Sequence, residues 1–189
     1  MISAEDEIAV KNLVAAYDNE MAAHARYKSF ASQADEEGLA GIASLFRAAA
    51  RAEQIHAVNH ARVIRHMGGD AAAAPHSSPV RTTLENLTVS QTDEQTEIDA
   101  LYPAFLRQVS THLDTRVERT LNWAMESEKS HAGLFSDAVQ ALQSGQTGSW
   151  ISAAQSFQVC STCGYTAHAR EADYCPVCGF PWERFLMVS

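Results

Sequence analysis

Two Glu-x-x-His motifs stand 75 residues apart, Glu53-Gln54-Ile55-His56 and Glu128-Lys129-Ser130-His131. Glu and His at i and i+3 share one face of a helix, so each motif can aim a carboxylate and an imidazole inward together. Each has a companion. Asn12-Leu13 is followed by Glu20 and Asn86-Leu87 by Glu94, eight residues after the Asn in both cases. Four Glu, two of them three residues before a His, are the donor set of a carboxylate-bridged di-iron or di-manganese bundle. Two divalent cations held close together repel, and bridging carboxylates offset that charge. Imidazole suits iron, and carboxylate suits hard cations. Taken singly, each Glu reads as an exposed helix charge, since Glu is seldom buried unless paired. The repetition in register argues for a shared site instead.

A second donor set lies at the other end of the chain. All four cysteines fall between 160 and 178, as Cys160-x-x-Cys163-Gly164-Tyr165 and Cys175-Pro176-Val177-Cys178-Gly179. In a reduced compartment such crowding points to a metal rather than to disulfides. Four thiolates around one ion mean a single iron or zinc, and a zinc ribbon has the same spacing. Some thirty residues cannot build a sufficient apolar core, so the metal must hold this unit together. Phe157, Tyr165, Tyr174, Trp182 and Phe185 are expected to cover it.

The elements that position the Glu and His side chains read as four long helices. Residues 1–143 are rich in Ala, Glu, Leu, Arg and Gln, which favour helix, and poor in Gly and Pro. The first segment runs from Ala4 to Asp35 and stops at Glu36-Glu37-Gly38. The second runs from Leu39 to Met67 and stops at Gly68-Gly69, a glycine ending typical of helices. The connector GGDAAAAPHSSP follows. The third runs from Val80 to Val109 and the fourth from Leu113 to Gln143, with a turn expected at Ser110-Thr111-His112. The reading is an all-α four-helix bundle over 1–143, a linker at 144–156 and a small metal-stabilised β/loop unit at 157–189. A short linker at one end of a long bundle is expected to hold the cysteine unit far from the bundle centre. The connector at 68–79 is long enough to cross the bundle length or to exchange hairpins between chains, and the sequence does not choose whether the two metal sites meet within one chain.

The helical region repeats itself. Tyr27-x-x-Phe30 recurs as Tyr102-x-x-Phe105, and Glu53 recurs as Glu128, both at an offset of 75, whereas Glu20 recurs as Glu94 at 74. One extra residue therefore lies between Glu94 and Tyr102. A one-residue insertion in a helix is absorbed as a π-bulge, and such bulges favour functional sites. Glu97 lies in this stretch, where the first half has Ala22 or Ala23. The third helix is expected to bulge there and present an additional carboxylate. Pro103, inside the same helix, fits a local irregularity. Tyr27 and Tyr102 read either as hydrogen-bond donors to ligand carboxylates or as core residues with a satisfied hydroxyl. His24, His60, His66, His76, His112 and His168 have no repeat partner; His24 and His60 read either as neighbours of the site or, the first expectation, as solvated or capping residues.

Composition excludes other classes. The chain has 189 residues, is 46% hydrophobic and carries a net charge of −9. That acidity argues against nucleic acid as the main partner. No apolar run approaches the roughly 18–20 residues of a membrane helix, and no secretory signal opens the chain. A soluble, cytoplasmic protein is the expectation. No Gly-rich strand–turn–helix fingerprint is present, so direct nicotinamide binding is not expected.

Together these residues resemble the rubrerythrin family. The resemblance rests on Glu20, Tyr27, Glu53-x-x-His56, Thr83-Leu84-Glu85-Asn86-Leu87, Glu94, Glu97, Tyr102-Pro103, Glu128-x-x-His131 and the four cysteines, and covers nearly the whole chain. It implies a ferritin-like bundle followed by a rubredoxin-like domain. It implies that Glu20 serves one iron, with Glu97 or His56 exchanging as the redox state changes, that Glu94 and His131 serve the other, and that Glu53 and Glu128 bridge. Cys160, Cys163, Cys175 and Cys178 would hold a single iron that passes electrons to the di-iron site, with zinc as the alternative. The implied activity is a non-haem peroxidase that reduces hydrogen peroxide to water in oxidative-stress defence. Glu97, His56, Tyr27 and Tyr102 would be its catalytic groups. A separate NAD(P)H-dependent reductase would stand upstream, and a head-to-tail homodimer would let electrons cross between subunits. A ferroxidase that handles iron, and a non-enzymatic bundle with a structural zinc ribbon, are the rival readings. Two features depart from the family: the segment TAHAREADY between the knuckles is shorter than in free-standing rubredoxins, and Trp123 and Glu126 are not expected.

Overall fold

A computed structural model describes residues 3–72, 76–109, 114–145, 151 and 153–189. The expected turn at Ser110-Thr111-His112, with His112, lies outside them, as do parts of the connector and of the linker. Among the described residues the order is α1 (Ala4–Glu36), α2 (Ala40–His66), α3 (Thr83–Thr96), a π-helical turn (Glu97–Leu101), α4 (Tyr102–Val109) and α5 (Thr115–Gln143). Residues Thr96 and Tyr102 on either side of the π turn keep helical dihedrals. Thus α3, the π turn and α4 form one helix, and the bundle has four.

Local chemistry sets the ends of these helices. Ser3 and Asp6 cap α1 reciprocally, and Thr82 and Glu85 do the same for α3. Such boxes satisfy backbone N–H groups that have no partner within the helix. Gly38 follows α1 with φ +75. That left-handed turn lets the Leu39 N–H reach back to the Ala34 carbonyl at 2.8 Å, closing the helix end.

The core has two apolar clusters with a polar belt between them. One gathers Tyr27, Phe30, Ile42, Leu45, Phe46 and Phe135; the other gathers Leu13, Ile64, Tyr102, Val117 and Leu121. Glu20, Glu53, His56, Glu94, Glu128 and His131 lie between these clusters along the helices, each no more than 1% exposed.

The cysteine-rich unit is a three-stranded antiparallel sheet of order β2-β1-β3, from β1 (Phe157–Val159), β2 (Thr166–Ala167) and β3 (Leu186–Val188). Gln158 pairs with Ala167 on one side and with Met187 on the other. Its position corrects the expectation that it sits far from the bundle centre. Beyond α5, the described residues from Ile151 to β1 lie against the bundle, β1 packing on α2. Ile151 is 1% exposed within the first apolar cluster, the Gln155 N–H donates to Ser44 Oγ at 3.1 Å, and Phe157 and Val159 are buried in the same cluster. Apolar residues in and after the linker thus carry the cysteines to the middle of their own bundle. The expected cover is corrected too. Phe157 belongs to the bundle core and Tyr174 is 62% exposed, whereas Trp123 of α5 packs on the cysteines with Tyr165, Phe180 and Phe185.

Candidate metal centres

The side chains of the polar belt converge on two points. Glu20, Glu53, His56 and Glu128 place ligand atoms within 4.8 Å of one another, as do Glu53, Glu94, Glu128 and His131. Glu53 and Glu128 belong to both groups, the position of bridging carboxylates. The two imidazoles lie stacked, with centroids 5.8 Å apart.

The protonation geometry calls for a cation. His56 Nε2 lies 2.9 Å from the Cys163 carbonyl, which can only accept, so Nε2 carries the hydrogen. His131 Nε2 lies 3.2 Å from Thr166 Oγ1, whose own hydrogen is donated to the Gly164 carbonyl at 3.0 Å. Both Nδ1 atoms are thereby turned toward carboxylates. His56 Nδ1 is 2.9 Å from Glu128 Oε1, and His131 Nδ1 is 2.6 Å from Glu128 Oε2. Yet both Glu128 oxygens, Glu53 Oε1, Glu94 Oε2 and His131 Nδ1 are buried without an aligned hydrogen bond. Lone pairs facing lone pairs in a dry interior repel unless a cation lies between them. Two divalent ions fit this donor set.

Protons take that place in the metal-free chain. Burial alone would depress the imidazoles, but the charges of Glu128 and Glu20 push His56 well above its ordinary value, and those of Glu128 and Glu53 do the same for His131. Burial, with Glu128, pushes Glu53 up to about 7. Burial would also raise Glu128, yet His56 and His131 hold it down to about 2.

Hydrogen bonds from the opposite half hold the outer ligands. Tyr27 donates to Glu94 Oε1 at 2.5 Å, and Tyr102 donates to Glu20 Oε1. Burial pushes both phenols well above their ordinary range, with Glu94 and Glu20 adding to it, so both remain donors. Each tyrosine thus crosses to the other repeat.

The third helix bulges where the spacing predicts. The Tyr102 N–H bonds to the Glu97 carbonyl five residues back. Glu97 is 8% exposed and accepts from Asn19 Nδ2 at 2.8 Å. It belongs to neither four-residue group; it borders an open hollow lined by Asn19, Arg26, Asp93, Thr96 and Leu101. His24 bonds the Ala50 carbonyl at 2.6 Å through Nδ1. His60 is neither solvated nor a cap: it is fully buried, with Nε2 3.3 Å from Tyr102 Oη. The alternative reading, a place beside the site, is the one the structure shows; without a repeat partner, nothing in the sequence supported it.

Cys160, Cys163, Cys175 and Cys178 form the second centre, with ligand atoms within 4.8 Å of one another and no disulfide among them. The Cys160–Cys178 and Cys163–Cys175 sulfur pairs are 3.6 and 3.5 Å apart. Metal–sulfur bonds of about 2.3 Å give a tetrahedral edge of about 3.8 Å, so one ion fits. The two knuckles are alike: Cys160 N–H bonds the Tyr165 carbonyl and Cys175 N–H the Phe180 carbonyl, both at 2.8 Å. The first is fastened to α2 and α5. Asn59 Nδ2 donates to the Thr162 carbonyl at 2.7 Å, Ser127 Oγ to that of Cys163 at 2.8 Å, and the Thr166 N–H to Ser130 Oγ at 3.1 Å.

Comparison with known proteins agrees with this architecture. Residues 11–139 match the rubrerythrin family model. Rubrerythrin-2 of Clostridium acetobutylicum is 33% identical over 138 residues, 72% of this chain and 75% of the relative. A structure of nigerythrin in its fully reduced, all-ferrous state superposes with a TM-score of 0.84 at 28% identity, covering 95% of this chain and 86% of that one. A bacterioferritin from Desulfovibrio desulfuricans shares the fold, with a TM-score of 0.71 at 18% identity over 79% of this chain and 90% of that one. With its ferritin-like bundle, its carboxylate–histidine donor set for a di-iron centre and its four-cysteine site for a single iron, the chain belongs to the rubrerythrin family.

Proposed function

We propose that the chain is a peroxidase that reduces hydrogen peroxide to water with electrons delivered through the four-cysteine iron. The observation that carries this reading is the hydrogen bond from His56 Nε2 to the carbonyl of Cys163 at 2.9 Å. It joins a ligand residue of one candidate centre to a ligand residue of the other within a single chain. A ferroxidase has no use for such a link, and a structural zinc ribbon does not need one.

The carboxylate site would hold two ferrous ions, which when bound would supply one electron each and polarise the O–O bond. The chain's own residues do the rest. Glu20 and His56 would hold one ion and Glu94 and His131 the other, with Glu53 and Glu128, common to both groups, shared between them. Tyr27 and Tyr102 hold Glu94 and Glu20 in place by hydrogen bonds. Glu97 stands at the rim, held by Asn19, and would exchange with His56 as the charge of the site changes. His56 keeps its Nε2 proton on the Cys163 carbonyl, which orients its ring. A separate reductase, NAD(P)H-linked, supplies the four-cysteine iron.

Metal content and the visible spectrum of native protein test the reading, together with steady-state peroxide consumption. Three irons per chain and a thiolate-to-iron band that bleaches on reduction are expected. Cys160→Ser is expected to lose that band and the donor-driven turnover while keeping iron in the bundle; Glu97→Ala is expected to lower turnover about a hundredfold. Zinc in the cysteine site of native protein, or full turnover in both variants, overturns the proposal.

A further inference from the structure

The two halves of the bundle differ behind their tyrosines. Tyr102 backs onto His60, with ring centroids 6.2 Å apart. Tyr27 backs onto Phe135, edge to face at 5.4 Å. His60 and Phe135 occupy equivalent positions of the 75-residue repeat. The next residue outward from His60 is Thr120, whose Oγ1 lies 3.0 Å from His60 Nδ1. Its equivalent one repeat earlier is Leu45, which is 1% exposed. A polar pair in one half is therefore an apolar pair in the other.

The hydrogen bonds of the polar half have a single direction. Tyr102 spends its proton on Glu20 Oε1, so its oxygen faces His60 as an acceptor. His60 Nε2, 3.3 Å away, must then donate. A neutral imidazole with its hydrogen on Nε2 has a lone pair on Nδ1, which accepts from Thr120 Oγ1. Donation runs Thr120 to His60 to Tyr102 to Glu20. Thr120 also lines a groove of ≈ 360 Å³ between α2 and α5, with Asn59, Arg62, His66, Arg119 and Trp123. The chain of donors therefore begins at a groove large enough for water and ends on a carboxylate of the metal site.

We propose that Thr120, His60 and Tyr102 form a proton path into the Glu20 side of the site, and that the Leu45–Phe135 side is closed to protons. The proposal rests on the peroxidase reading for what the protons do. Reducing one hydrogen peroxide breaks the O–O bond, takes two electrons from the ferrous pair and consumes two protons, giving two waters. For each proton that uses the path, Thr120 gives its hydroxyl proton to His60 Nδ1 and takes one from groove water. His60 gives its Nε2 proton to Tyr102, and Tyr102 gives its own to Glu20. Glu20 passes it to the reacting oxygen. Thr120 and His60 touch neither substrate nor metal; they act through Tyr102.

The test uses the iron-loaded full chain. Thr120→Val keeps the shape of the side chain and removes the hydroxyl; Thr120→Ser keeps the hydroxyl; His60→Phe installs the residue that the other half already packs. Oxidation of the reduced protein by peroxide is expected to slow about tenfold or more in Thr120→Val and His60→Phe, with an enlarged solvent deuterium effect, and to return to within about twofold of the parent rate in Thr120→Ser. Iron content, measured first, separates this from loss of the site, and His60→Phe serves if Thr120→Val loses iron. A readout without peroxide is the infrared difference between dithionite-reduced and ferricyanide-oxidised protein, with ¹⁵N-labelled histidine. Imidazole bands sensitive to D2O are expected in the parent and altered in Thr120→Val. Unchanged rates in the iron-replete variants, or imidazole bands identical in parent and Thr120→Val, overturn the path. If the parent does not consume peroxide while the infrared bands respond to Thr120→Val, the peroxidase reading falls and the path stands.

Discussion

Gly164 shows how much one residue can be asked to do. Its φ of +86 lies in the left-handed region, where a side chain costs about 1–3 kcal/mol. A Cβ on it would also lie 2.2 Å from His56 Nε2. The His56 ring cannot yield, because Nδ1 faces Glu20, Glu53 and Glu128 at 3.3, 3.0 and 2.9 Å. Gly164→Ala is therefore expected to push the first knuckle off the bundle. The melting temperature should fall by at least about 2–4 °C per kcal/mol lost. Re-oxidation of the thiolate–iron band after peroxide addition should slow in stopped-flow measurements. An unchanged melting temperature and an unchanged rate would contradict the contact. The sequence marks Gly164 as a knuckle glycine; the approach of His56, 108 positions earlier, is invisible there.

At the scale of an element, the π turn is the feature most legible in the sequence. Glu20 and Tyr27 are seven residues apart and Glu94 and Tyr102 are eight. Seven residues are two α-helical turns, so the eighth must be absorbed to keep both residues inward. The turn at Glu97–Leu101 absorbs it. Deleting Ala100, which is exposed, should restore a continuous α-helix with Glu94 and Tyr102 still inward. Glu97 would then take the register of Ala23, which is 2% exposed in the core. Helical circular dichroism and iron stoichiometry should be preserved, while peroxide turnover falls about tenfold or more. Retained turnover would show that the bulge serves no purpose in the reaction. The linker is less legible: Ile151 stands with Trp150, Ala153 and Ala154 in a stretch otherwise of Ser, Gly, Gln and Thr, and only packing reveals it as an anchor.

The whole molecule concentrates its acidity. Glu20, Glu53, Glu94, Glu97 and Glu128 are buried around the belt, so much of the net −9 is not surface charge. This predicts a pH dependence. In the metal-free chain His56, His131, Glu53, Glu94 and Glu97 are all raised, burial being offset by facing carboxylates for the histidines and reinforced by them for the glutamates. Groups raised in the folded state bind more protons there, so their stabilisation is present at low pH and lost as pH rises. Burial would raise Glu20 and Glu128, but His56, acting with His60 on Glu20 and with His131 on Glu128, lowers both. Their contribution is already complete above about pH 5. Bound metal needs the same ligands deprotonated and is favoured by rising pH. The melting temperature of iron-loaded protein should therefore exceed that of metal-free protein by a margin that grows from pH 6 to 8. A constant or shrinking margin in differential scanning calorimetry would contradict this assignment of protons and metal to the same atoms.

The sequence by itself determined the ligand types, their pairing across two halves, the bulge beside Glu97 and the four-thiolate site. Those follow from covalent spacing and helical period, which are local and repeat in register. Tertiary structure alone decided that the first knuckle docks on the histidines of its own bundle, that Trp123 covers the cysteines and that His60 is buried behind Tyr102. These depend on which faces meet when β1 packs on α2. The burial of Ile151, Phe157 and Val159 holds it there, and no spacing in the sequence encodes that docking.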